Sequence, residues 1–116
     1  MASTRIENIR IEIITGERGH ASPVAIRFND FDLSLNRISG GTGAGESYEG
    51  EFFVNSVVHS CALVGPAEGG WDVKDLNVEF DHGDDHSARH AYGAFSIEAG
   101  EEKDILEPPP PPVFEV

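Results

Sequence analysis

Cysteine and positive charge are both scarce in this chain. One Cys (Cys61) in 116 residues excludes an intramolecular disulfide framework and any metal site built from thiolates alone. Lys+Arg 8 stand against Asp+Glu 21, a formal net charge of −13 that argues against nucleic-acid phosphates and anionic membranes as partners. No apolar run approaches the roughly 20 residues of a membrane-spanning helix, and Met1–Arg5 (MASTR) lacks the apolar core of a signal peptide. With an unpaired thiol and no such segment, the cytoplasm is the expected compartment. Helix signals are equally sparse. Only Asp84–Ala91 (DDHSARHA) suits a short helix, with Asp84 as its N-cap and alanines following.

What the chain does contain is apolar residues at a period of two. In Arg5–Ile14, Ile9, Ile11 and Ile13 alternate with Arg10 and Glu12, the pattern of a strand with one wet face. Val24, Ile26 and Phe28 repeat it, Asn29-Asp30 supplies a hairpin turn, and Phe31, Leu33 and Leu35 alternate on the return. Ser39–Ser47 has four glycines in nine residues and reads as a loop. Tyr48–Val64 is apolar on both faces in its second half, which suits either a central strand or one that bends from one sheet into another. Trp71–Phe80 slips parity between Val73 and Leu76, the mark of a bulge, and Tyr92–Ile97 reads as the last strand.

The length allows one domain, and the composition allows it a core: 39% of residues are hydrophobic, seven Phe among them. The expected fold is all-β, an antiparallel sandwich or small barrel of about six to seven strands with at most one short helix. Its expected extent is residues 1–106, followed by a proline-rich tail at 107–116. Pro108–Pro112 cannot pair in a sheet, and five prolines in a polyproline II rod span about 16 Å.

The densest potential chemistry is Asp81–His90 (DHGDDHSARH). His82, His86 and His90 stand at steps of four, with Asp84 and Asp85 between them as further ligands for Zn²⁺ or Ni²⁺. On a helix two such imidazoles lie about 6 Å apart and can clasp one ion. On a strand the same steps put them roughly 13 Å apart, too far. The competing reading is a solvated loop. His59 and Cys61 share parity with Phe53, Val57 and Leu63 in an apolar strand, which points to a core Cys and a core or cavity His rather than a nucleophile. Gly40–Gly45 (GGTGAG) looks like a phosphate cradle but lacks the Lys-Ser/Thr that follows in a P-loop, and Glu46 comes next.

Carboxylates gather at the expected turns: Asp30 and Asp32, Asp72 and Asp75, and Asp81, Asp84 and Asp85. Such loops coordinate Ca²⁺ when they meet at one end of a sandwich. With Trp71 and Tyr92 as stacking platforms they suggest a calcium-assisted carbohydrate-binding module, although Trp71 beside Gly69-Gly70 equally suits a core anchor. In the tail, Val113, Phe114 and Val116 alternate with Glu115 in the manner of a strand-addition peptide. No motif ties the chain to a known family. The expectation is a non-enzymatic acidic β-sandwich acting as a binding or assembly module through its loops and tail, with a protein partner or copies of itself. The His/Asp-loop metal protein and the carbohydrate module are the alternatives.

Overall fold

The computed structural model describes residues 5–20, 24–82 and 87–106. Asp84, Asp85 and His86 of the histidine loop, and the tail with Val113, Phe114 and Val116, lie outside the described residues. The strands run in chain order β1 (Arg5–Thr15), β2 (Ala25–Phe28), β3 (Phe31–Ser34), β4 (Asn36–Gly40), β5 (Ser47–Val57), β6 (Cys61–Val64), β7 (Gly70–Asp81), β8 (Ser87–Tyr92), β9 (Phe95–Glu98) and β10 (Glu102–Asp104). They form two antiparallel sheets, consistent with the expected sandwich. The six-stranded sheet has the order β4-β5-β1-β7-β8, with β9 also on β7, and the four-stranded sheet has the order β10-β6-β2-β3. Among the described residues there is no helix, and hence no helix long and apolar enough to cross a membrane.

The period-two isoleucines of β1 occupy the centre of the larger sheet, and Ile9, Ile11 and Ile13 are all but fully buried. Opposite them on β7 lie Trp71, Val73, Leu76, Val78 and Phe80, and the smaller sheet contributes Ile26, Phe28, Cys61 and Leu63. Arg10 and Glu12 face the other way. Arg10 meets Glu49 at 3.9 Å and Glu51 at 3.5 Å, and Glu12 meets Arg89 at 4.0 Å. These exposed pairs keep that face wet and add little to stability.

The parity slip in β7 is a bulge. Asp75 pairs with Ile14 but Val73 pairs with Thr15, so β7 holds one extra residue against β1. The partner on the other side of β7 breaks at the same level. The segment read as one last strand is the end of β8 and the start of β9, separated at Gly93-Ala94, with Leu76↔Tyr92 and Val73↔Phe95 keeping one register across the gap. The last strand is β10, which its composition, Glu-Lys-Asp, concealed. It pairs Glu102–Asp104 with Val64–Ala62.

The helix expected over Asp84–Ala91 is not formed where it is described: Ser87–Tyr92 is strand β8, paired along β7 from Asp81 to Leu76. The ladder bonds offered by β7 outweigh the local helical preference of two alanines, which is only a weak bias. Tyr48–Val64 resolves to the second of its two readings. β5 belongs to the larger sheet and β6 to the smaller, and the chain crosses between them at Val58–Ser60.

The end of the sandwich near Thr15 is tied by Asp72. Its Oδ1 accepts from Arg18 Nε at 3.1 Å and Nη2 at 2.9 Å and from Ser96 Oγ at 2.8 Å, and its backbone N–H donates to the Arg18 carbonyl. The Arg18 guanidinium, then Ser96, hold the Asp72 carboxyl below its ordinary value of 3.8. A carboxylate whose pKa is depressed by folding contributes stability above its unfolded value and loses it as pH falls through the folded one. Arg18→Ala is therefore expected to lower the melting temperature at pH 6 to 7, with the gap from wild type closing as pH drops below about 3.8. A gap that stayed constant to pH 2 would exclude the pairing as its source.

Candidate functional site

The two sheets do not cover one another completely. On one side the chain crosses from β9 to β10, and Lys103 on β10 places its ammonium 5.5 Å from the Tyr92 ring centre and 5.3 Å from that of Phe95. On the other side, the chain crosses at Leu35 between β3 and β4, and its amide donates to the Val24 carbonyl. Beyond that crossing the sandwich is open.

A tight turn lies beside the opening. Asn29 and Asp30 both sit at positive φ, 49° and 70°, as a two-residue hairpin requires, so Phe28 pairs directly with Phe31 and Ile26 with Leu33. Cross-strand partners share a face. Phe31 and Leu33 thus belong to the inner, apolar face of the smaller sheet, yet Phe31 is 71% exposed. Across the gap, β4 covers β5 only from Tyr48 to Glu51. From Phe52 onward, no strand among the described residues pairs with that side of β5. Phe52 and Val54 are half-buried there, and Phe53 at the rim is 66% exposed.

The result is a groove of about 260 Å³ lined by Phe28, Asn29, Phe31, Leu33, Phe52, Phe53, Val54 and Ser56. It lies between two strand edges, β3 and the second half of β5. Elsewhere the large apolar side chains are mostly buried, so two exposed phenylalanines in one groove are out of keeping with the rest of the surface. Apolar walls beside unpaired backbone form the receptor half of strand addition.

Asn29 holds the floor of this site. Its Nδ2 donates to the Val57 carbonyl at 2.8 Å, and its Oδ1 accepts from the backbone N–H of His59 at 2.6 Å and of Ser60 at 3.1 Å. One side chain thereby locks the β2–β3 turn to the β5–β6 crossing.

The residues singled out from the sequence are placed differently. Trp71 is 0% exposed, with its Nε1 donating to Thr15 Oγ1 at 3.0 Å, and Tyr92 is buried in the same core. Both rings lie in the core because each continues the inward parity of its strand. His90 is on β8, edge-on to Phe80 at 5.4 Å between ring centres, with Nδ1 3.4 Å from the Ile105 carbonyl. It is opposite Val78, whereas His82 follows β7 four residues further on, roughly 13 Å along the strand direction. Among the described residues no three His, Cys, Asp or Glu side chains gather as a metal site.

The acidic turns do not share one end either. Asp75 pairs with Ile14 and Asp72 with Ser96 near one end of β1, while Asp81 pairs with Asn8 at the opposite end. Asp32 is taken by Arg27 Nε at 2.9 Å. The glycine loop is the β4–β5 hairpin connection, and Ser39 and Gly40 belong to the strand. Its resemblance to a phosphate cradle has a direct explanation: the Glu46 carboxylate occupies that place, accepting the Gly43 N–H at 2.9 Å.

His59 is exposed and lines a hollow of about 360 Å³ beside Cys61 rather than the core, because Asn55 at φ 46° and the crossing at Val58–Ser60 interrupt the alternation it was assigned by. Cys61 is buried as expected. Burial first, and then the nearby Asp104 charge, push its thiol up to about 12. At pH 8 only about one thiol in ten thousand is then ionised, and the thiolate is the reactive form. Iodoacetamide at pH 8 is expected to leave Cys61 unmodified in the native protein and to label it fully in denaturant, as read by intact mass. Rapid native labelling would contradict its burial.

A scan against protein-family models and searches of curated proteins and of solved structures returned no match to this chain.

Proposed function

We propose that this chain is a binding module of the β-sandwich class that accepts an extended, apolar-alternating segment of a protein partner into the groove between β3 and β5. The observation that carries the reading is Phe31. It lies on the inner face of its sheet and is 71% exposed, so the fold leaves part of its own core uncovered. The adjoining edges of β3 and the second half of β5, unpaired among the described residues, offer the backbone donors and acceptors that such a segment needs. Side chains at every second position of the guest would meet Leu33, Phe31 and Phe52, and the intervening ones would face water. The acidic body, at −13, disfavours guests rich in carboxylates and favours basic flanks.

Selection from a random nonapeptide library on the immobilised protein tests this. Enriched peptides are expected to carry large apolar residues at alternating positions. Removing one buried aromatic contact costs about 1.5–3 kcal/mol, so a double substitution Phe31→Ser, Phe53→Ser should weaken them at least about tenfold. Its circular dichroism should be unchanged, since both residues are already exposed. Peptides that bind the double variant as well as the wild type would place recognition elsewhere and end the proposal.

A further inference from the structure

We infer that a second site, beside β4 and separate from the groove, takes a free α-amino acid with an apolar side chain. The ligand's carboxylate meets Arg37 and Tyr48, its ammonium meets Glu46, and its side chain lies against Val24 and Leu35.

The crossing at Leu35 borders a cavity of about 550 Å³ that shares no lining residue with the groove. Small-molecule sites fall between roughly 300 and 1,000 Å³. The apolar part of its wall is Val24, Leu35 and Tyr48, all buried. Another part is tied in place. The His20 N–H donates to the Thr42 carbonyl at 2.9 Å, and the Thr42 hydroxyl donates to the His20 carbonyl at 2.8 Å.

Strand register puts a charge at a position that usually faces the core. Arg37 pairs with Gly50 and Gly50 with Ile11, so Arg37 takes the inward side of the larger sheet. A bulge follows between Arg37 and Ser39, after which Gly40 stands opposite Tyr48. Arg37 Nη1 donates to the Gly40 carbonyl at 2.9 Å, which holds the guanidinium at the cavity. Its other donors are uncommitted among the described residues. Arg10, Arg18, Arg27 and Arg89 each lie within 4.0 Å of a carboxylate, whereas Arg37 meets none among the described residues. In a chain with Lys+Arg 8 against Asp+Glu 21, an arginine left without a carboxylate stands out.

Two further polar groups are open on the same cavity. Gly50 has no side chain, and the Tyr48 ring and hydroxyl occupy the place its Cβ would take. Tyr48 is 6% exposed, yet its hydroxyl has no hydrogen-bond partner among the described residues. A ligand oxygen would relieve the cost of that unmade bond. Gly41 and Gly43 make room for the Glu46 carboxylate, since a Cβ at Gly41 would meet both its oxygens at 3.3 Å. Oε1 accepts the Gly43 N–H at 2.9 Å, and Oε2 has no partner among the described residues.

Arg37 and Glu46 therefore present opposite charges to one apolar cavity without pairing with each other. A simple anion would be repelled by Glu46 and by the net charge of −13, and a simple cation by Arg37. A zwitterion satisfies both. Its carboxylate and ammonium, each with a charge-assisted hydrogen bond of about 2.9 Å, bridge two such heads.

Calorimetry and amide NMR of the full chain with L-leucine test the inference. Expected is saturable binding with a Kd at or below about 1 mM, with the amide shifts centred on Gly41, Thr42 and Gly43. Isocaproate lacks the ammonium and isoamylamine lacks the carboxylate, so each should bind at least about tenfold more weakly. Arg37→Gln and Glu46→Gln alter exposed side chains and should each weaken leucine at least about tenfold. Glu46→Gln should leave isocaproate no weaker, because that ligand has no ammonium to lose. The groove variant Phe31→Ser, Phe53→Ser should bind leucine as the wild type does. Absence of saturable binding would overturn the inference, and so would wild-type affinity in Arg37→Gln or Glu46→Gln. Isocaproate or isoamylamine binding as tightly as leucine would remove the zwitterion. Loss of leucine in the groove variant would place it in the groove and end the second site, whereas the peptide selection above bears on the groove alone.

Discussion

Trp71→Ala is expected to lower the unfolding free energy by about 3–5 kcal/mol, the usual cost of deleting a large buried aromatic. That is a large share of the roughly 5–15 kcal/mol that holds a domain of this size together. Trp71 earns this estimate by its position. It is 0% exposed, its ring is met edge-on by His20 at 4.4 Å between centres, and its indole N–H is satisfied by Thr15 Oγ1. Trp71→Phe should cost about 1–3 kcal/mol, since it leaves a smaller cavity and removes the indole donor from the buried Thr15 hydroxyl. Urea unfolding followed by circular dichroism measures both. An alanine variant within about 1 kcal/mol of wild type would be incompatible with the ring's place in the core.

The second large effect is expected at Asn29, and there the contacts are polar. Asn29→Ala removes three hydrogen bonds and strands the backbone N–H groups of His59 and Ser60 and the carbonyl of Val57. At about 1 kcal/mol net for each bond, with roughly 1 kcal/mol more for placing alanine at φ 49°, the expected loss is about 3–4 kcal/mol. Asn29→Asp keeps the acceptor for both N–H groups but turns an oxygen on the Val57 carbonyl, so it should fall between alanine and wild type. A loss of only about 1 kcal/mol in the alanine variant, with none in Asn29→Asp, would show that only the turn conformation matters. Either substitution should also loosen the groove, because Asn29 lines it and ties together the segments that carry Phe31 and Val54.

The groove and the sandwich come from one economy. The smaller sheet has four strands against six, and its edge strand β3 continues its inner face past the last strand that covers it. Closing the gap would need one more strand along β3 or β5. The functional proposal is that a segment of a protein partner supplies it.

Much of this molecule is legible in its residues. The alternation of Ile9, Ile11 and Ile13, the turn at Asn29-Asp30, and the slip between Val73 and Leu76 each express a local rule: pleat, left-handed turn backbone, bulge. Local rules act before long-range packing does, so they survive folding and appear as β1, the β2–β3 hairpin and the β7 bulge. The two-sheet class follows from them.

What depends on partners distant in the chain was not legible. Ser87–Tyr92 became a strand because β7 offered it a ladder, and β10 formed from Glu-Lys-Asp because Cys61–Val64 lay beside it. His59 left the core because a crossing between sheets reset its parity. Phe31 and Phe53 follow patterns that normally mean core; the run Phe52-Phe53-Val54 alone hinted that one apolar side chain had to face outward. Alternation states which side of its own strand a residue takes. Whether another sheet covers that side is a property of the whole assembly, and at Phe31 nothing among the described residues does.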